Sequence, residues 1–234
     1  MSNTINLTAE DGHILSAYVA GEKQSAAALV IIQEIFGVNN HIRSVAESYA
    51  ADGFFTVAPA LFDRIQARTE LDYSPASIEL GRGFATRLEP ELVLNDIAAA
   101  VAYARSQTTS GKVGVVGYCL GGTYAWLSAA RLKIDAAVGY YGGKIVQLLD
   151  QKPLAPLILH FGKEDRGIPL TDVQKIEHAY PDTPIYLYEA SHAFNRNSGQ
   201  NYSPAAAELA RARSLKFLRD HLLPQLGRTL LASF

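Results

Sequence analysis

Six short apolar runs with no polar alternation constrain this chain more than any other feature. Residues 26–32 read Ala-Ala-Ala-Leu-Val-Ile-Ile, and comparable runs follow at 54–58, 113–116, 136–140, 157–161 and 185–188. A strand lacking a polar side must be covered on both faces. Helical spacing fills the intervals: Ile42, Val45, Ala46, Tyr49 and Ala50; then Leu92, Ile97, Ala100, Val101 and Ala104; then residues 123–130. This alternation predicts an α/β fold, a mostly parallel central sheet with helices on both faces joined by right-handed crossovers. Ahead of it, residues 5–7 and 14–19 flank the turn dipeptide Asp11-Gly12 and predict an antiparallel hairpin. A long helix is expected over 204–223, with Leu209, Ala212, Leu215, Phe217 and Leu218 as its packed residues, stopped by Pro224. Residues 59–90 are the least regular stretch, of the kind that covers a site at strand ends. Without repeats or a linker, residues 1–234 are expected to form a single domain.

Charge and cysteine usage remove several classes of function. Lys and Arg number 21 against 23 Asp and Glu, giving a formal charge of −2 with no block of like sign. Neither nucleic acid nor an anionic membrane surface is an expected partner. Cys119 is the sole cysteine; an internal disulfide and a thiolate-rich metal site are both ruled out. The N-terminus carries no basic region or apolar run of a secretory signal, and no stretch reaches membrane-spanning length. A reducing, cytoplasmic setting is expected, with the protein a monomer or small homo-oligomer acting on a small molecule.

Cys119 sits in Val113-Gly114-Val115-Val116-Gly117-Tyr118-Cys119-Leu120-Gly121-Gly122, between a buried strand and a helix. The Gly-x-Cys-x-Gly frame matches a nucleophile elbow, where a sharp turn strains the backbone of the reactive residue and glycines leave room for it. At a helix N-terminus the dipole and free N–H groups favour a thiolate. The Leu120 N–H would supply one half of an oxyanion hole. A lone cysteine is more often a small buried apolar residue, but the glycines and the strand–turn–helix setting favour the nucleophile. A dinucleotide site is the weaker alternative: Asp135 lies 18 residues past Gly117, yet Gly-x-Gly-x-x-Gly is absent, as is a phosphate loop.

A nucleophile on this elbow calls for an acid after a later strand and a histidine after the last one. Asp165 follows the run at 157–161, ahead of Arg166-Gly167-Ile168-Pro169, where a turn can aim its carboxylate inward; Glu164 is its neighbouring rival. His192 falls in the loop after 185–188, whereas His160 lies in a strand, His41 and His178 in helices, His13 after the hairpin turn and His221 near the last helix end. His192 would withdraw the thiol proton and Asp165 would fix the imidazole tautomer.

With these pieces in place the chain resembles the dienelactone hydrolase (carboxymethylenebutenolidase) family of α/β-hydrolases over most of its length. The resemblance rests on Gln33-Glu34-Ile35-Phe36-Gly37-Val38-Asn39, Gly117-Tyr118-Cys119-Leu120-Gly121-Gly122, Gly139-Tyr140-Tyr141-Gly142 and His192-Ala193-Phe194-Asn195-Arg196. It implies a triad of Cys119, His192 and Asp165, and an oxyanion hole made by the N–H groups of Ile35 and Leu120. Glu34 would be the carboxylate that holds the resting thiol and is displaced by substrate, which by like charge raises the thiol pKa. Arg196 would grip a substrate carboxylate. A second such arginine is expected before the long helix, where residues 70–90 offer Arg82 and Arg87; Arg82 is taken. Arg166-Gly167-Ile168 stands where the family pattern leads one to expect an aromatic residue. Tyr140 and Tyr141 are expected to line the substrate pocket. The implied activity is cofactor-free and metal-free opening of a small carboxylate-bearing unsaturated lactone, dienelactone to maleylacetate. Alternatives are a thiol esterase on another small ester, or a non-catalytic binding protein on the same fold.

Overall fold

The structure, a computed structural model, describes residues 2–224; the rest of the expected 1–234 domain lies outside the described residues. Eight strands form one sheet in the order β1-β2-β4-β3-β5-β6-β7-β8. β1 (Asn3–Thr8) and β2 (Ile14–Ala20) are the antiparallel hairpin, and β2 runs antiparallel to β4 (Phe55–Pro59). β3 (Ser25–Ile32), β4, β5 (Thr108–Tyr118), β6 (Ala136–Tyr140), β7 (Leu157–Gly162) and β8 (Ile185–Tyr188) are parallel to one another.

Two-sided burial explains the unbroken apolar runs of β3 to β7, whereas β8, at the sheet edge, buries only Tyr188 and leaves Leu187 exposed. Along β3, Ala27, Leu29 and Ile31 enter one core, while Ala28, Val30 and Ile32 enter the other. The first core is closed by α1 (Asn40–Ala51) and α6 (Pro204–Leu222), through residues such as Ile42, Tyr49, Ala210 and Leu218. The second is closed by α3 (Pro90–Ser106), through Val93, Ile97, Ala100 and Ala104. α4 (Leu120–Arg131) packs beside β5 and β6, and α5 (Leu170–Ala179) contributes Val173 and Ile176. No helix of the described residues is long and apolar enough to cross a membrane.

The irregular stretch at 59–90 holds more order than its sequence suggests. A short 3-10 turn at Leu61–Arg64 is followed by α2 (Pro75–Arg87), started by Pro75 and by Ser74, whose hydroxyl accepts the Ser77 N–H. Asp72 gathers Ser77 and Ser74 about its carboxylate, and these hydrogen bonds hold its pKa down at about 2. Gly81 lets α2 lie directly on the loop after β3: a Cβ there would meet the Ile35 carbonyl oxygen at 2.1 Å. The chain leaves β3 toward β4 on one side and returns to β5 on the other, and a crevice at the carboxyl ends of such strands is where open α/β sheets bind ligands.

Candidate active site

β5 runs straight into the N-terminus of α4, and the turn between them falls on Cys119, at φ 55° and ψ −110°. Such a conformation is costly for a residue with a side chain and persists only where the surroundings enforce it. The glycines provide the enforcement. A Cβ on Gly117 would come within 1.9 Å of the Gly121 oxygen, and one on Gly121 within 2.3 Å of the Ile32 oxygen. The Cys119 N–H donates to the Tyr140 carbonyl at 3.0 Å, tying the elbow to β6. The Gly121 N–H donates to Gln33 at 3.0 Å, fastening the Glu34–Ile35 loop to the first turn of α4. Neither the Ile35 nor the Leu120 N–H is taken up by a hydrogen bond among the described residues.

Three side chains from three strand ends meet at this elbow. His192, after β8, places Nε2 3.2 Å from Cys119 Sγ and Nδ1 2.6 Å from Asp165 Oδ2. Asp165, after β7, has its carboxylate almost wholly buried, and its other oxygen accepts the Gly167 N–H at 2.8 Å. The turn at 165–167 thus aims Asp165 inward, whereas Glu164 stays exposed. The His192 loop is held from outside by Asn201, which donates to the His192 carbonyl at 3.0 Å.

Burial alone would lower the His192 pKa, but its bonds to Asp165 and to Cys119 outweigh that and raise it to about 10. A group whose pKa is raised on folding stabilises the fold fully below its unfolded value near 6.5, and loses that contribution as the pH rises through about 10. Asp165→Asn is expected to bring the His192 titration, followed by imidazole NMR, down toward 6.5 or below. A titration staying near 10 would remove Asp165 as the principal support.

In this structure Glu34 lies against an arginine rather than on the thiol. Its carboxylate is nearly fully buried and faces Arg196 Nη1 at 3.5 Å, while the thiol sits on His192. A buried carboxylate is drawn to the nearest full opposite charge, and Arg196 supplies it. The Arg196 guanidinium is itself held over the Tyr73 ring at 4.0 Å and beside Phe36 at 5.4 Å from the ring centres. Asn39 donates to the Tyr73 hydroxyl at 3.2 Å. Tyr73 escaped the sequence reading because it lies in the irregular stretch and meets Arg196 only through the fold.

These groups border a cavity of about 960 Å³ that Glu34, Ile35, Cys119, Asp165, His192 and Arg196 all line. Arg82 also lines it, from α2, together with Ile78; Arg87 is turned away over the Phe84 ring. Arg166 joins the lining too, although no role for it was expected. Tyr140 and Tyr141 must be corrected, since neither lines the cavity and both are fully buried. β6 is covered on both faces, so the Tyr140 ring turns into the core, stacks on Tyr118 at 4.7 Å and shares a 2.7 Å hydrogen bond with Ser214. The Tyr141 ring packs against the His192 imidazole at 5.0 Å. Among the described residues no group of three or more His, Cys, Asp or Glu is placed to hold a metal.

Comparison with known proteins places the chain in a family. The family model described as the dienelactone hydrolase family matches residues 15–222. The chain belongs to the dienelactone hydrolase family. Among curated relatives of this hydrolase, the Pseudomonas putida carboxymethylenebutenolidase is 37% identical over 230 residues, covering 93% of this chain and 96% of the relative. Carboxymethylenebutenolidase 1 of Cupriavidus pinatubonensis is 32% identical, covering 93% and 97%. A Klebsiella pneumoniae crystal structure provisionally assigned as a dienelactone hydrolase superposes with a TM-score of 0.79 at 26% identity, covering 92% of this chain and 98% of that one. The parallel α/β sheet expected from the apolar runs is observed, and the α/β-hydrolase fold implied by the family resemblance is the fold of this family.

Proposed function

We propose that this hydrolase opens a small unsaturated lactone bearing a carboxylate, dienelactone to maleylacetate, through a thioester on Cys119. The observation that carries the reading is the unbroken contact from Asp165 through His192 to Cys119, opening into a cavity that also presents Arg82 and Arg196. His192 Nε2 takes the Sγ proton, and its raised proton affinity favours the transfer. Sulfur then bonds to the lactone carbonyl carbon, and the oxyanion is received by the N–H groups of Ile35 and Leu120. The ring C–O bond breaks, and His192 returns the proton to the departing oxygen. Water, deprotonated by His192, next attacks the thioester and expels sulfur, which recovers the proton.

The nucleophile narrows the substrate. A thiolate leaves a tetrahedral intermediate readily, so the competing oxygen must leave at least as well. An enol lactone meets that need because its departing oxygen is a delocalised enolate, whereas a simple alkyl ester does not. Arg196 and Arg82 favour a substrate with a carboxylate beside the ring. A thiol nucleophile also works only while reduced, which suits a cytoplasmic setting.

The test is steady-state hydrolysis of cis- and trans-dienelactone beside a neutral p-nitrophenyl ester. A kcat/KM of roughly 10⁴ M⁻¹s⁻¹ or more on a lactone is expected, within the ordinary enzyme range. Turnover of the neutral ester alone would keep the triad and reassign the substrate.

A further inference from the structure

We infer that, beyond a monocarboxylate lactone, the cavity takes substrates bearing a second anionic group on the far side of the bond to be broken, and that Arg166 reads that group. The inference rests on the proposed reading of the cavity as a carboxylate-binding acyl site. Cys119 ends β5, and the sheet order β3-β5-β6-β7 places the β3 loop on one side of it and the β7 loop on the other. Arg82 approaches from the first side, on the helix whose Gly81 rests against Ile35. Arg166 approaches from the second, directly after Asp165 in the turn closed by the Gly167 N–H. Both arginines thus line the cavity, from opposite sides of the strand that carries the nucleophile.

Both have charge to spare. Arg196 is engaged by Glu34 and Asp165 by His192. Neither Arg82 nor Arg166 has an ion-pair partner among the described residues, whereas Arg43, Arg64, Arg105, Arg131 and Arg211 are all paired. Glu164 lines the Arg166 wall as well, so two free guanidiniums meet one free carboxylate and the cavity mouth keeps a positive excess. At about 960 Å³ the cavity lies at the upper end of the range for small-molecule sites, more room than a one-ring monocarboxylate fills.

Three esters sharing a para-nitrophenolate leaving group provide the test: p-nitrophenyl acetate, 3-carboxy-4-nitrophenyl acetate and 3-carboxy-4-nitrophenyl hemisuccinate, with no, one and two carboxylates. At low ionic strength the wild-type kcat/KM for the dianion should exceed that for the monoanion about tenfold, and the gap should shrink with added salt. Arg166→Gln should reduce the gap to about twofold, through KM, and Arg166→Lys should retain part of it. Glu164→Gln should widen it, and Arg68→Gln, in an exposed arginine outside the cavity, should leave it as in the wild type. A wild-type gap near unity, or one equally large in Arg166→Gln, overturns the inference. A preference for the monoanion over the neutral ester without any gain from the second carboxylate sinks this inference alone; loss of that first preference sinks the carboxylate-lactone reading itself.

Discussion

Cys119→Ala is expected to lower kcat for lactone opening by roughly 10⁴-fold or more, while the protein melts within a few degrees of the wild type. The activity term is large because no other described side chain at the elbow supplies a nucleophile: His192 and Asp165 remain, but they serve an atom that is gone. The stability term is small because alanine and cysteine bear the same positive φ, and the glycine contacts that enforce the turn are untouched. Cys119→Ser separates nucleophilicity from geometry. A hydroxyl fits the same space and keeps the His192 contact, yet gives up its proton far less readily, so activity should fall well below wild type without vanishing. Rapid quenching of the wild type with a slow ester should leave the acyl group on Cys119, detected by its added mass. Wild-type-like turnover by Cys119→Ala would end the thioester mechanism outright.

Most of what positions this site was legible because it is local. The strand runs could be read since burial on both faces strips a segment of polar residues, and the elbow could be read since only glycines fit at 117, 121 and 122. The elements that escaped lack a local signature. α2 buries only Gly81 and Phe84 among its thirteen residues, so no apolar stripe marks it; it sits on the Ile35 loop through the absence of a side chain. α5 likewise buries just Val173 and Ile176. The tyrosines after β6 show another limit. A strand end brings Tyr140 and Tyr141 near the nucleophile, but which way each ring faces depends on Ser214, Phe194 and His192, which come from distant parts of the chain. Glu34 shows a third: sequence places a carboxylate beside the thiol, and the fold decides between Cys119 and Arg196 as its neighbour.

Arg196→Leu is expected to raise KM for dienelactone about a hundredfold and to cost about 3 kcal/mol of stability, the second effect arising from Glu34 rather than from the lost cation. Glu34 is nearly fully buried, and removing its guanidinium leaves an uncompensated carboxylate in the interior. Binding and stability can therefore be separated by a double substitution. Glu34→Gln on the Arg196→Leu background removes the stranded charge and should recover most of the lost stability in a denaturant melt, while KM stays high because the cation that grips the substrate is still missing. Glu34→Gln alone should do the reverse: Arg196 loses its internal competitor, so monoanionic substrates should bind more tightly than in the wild type. The Tyr73 and Phe36 rings keep the guanidinium in place through that change, since their contacts do not depend on Glu34. If the double variant were no more stable than Arg196→Leu, the pair would not be an electrostatic unit. If Glu34→Gln weakened anion binding, Glu34 would be orienting Arg196 for the substrate rather than occupying the substrate's place.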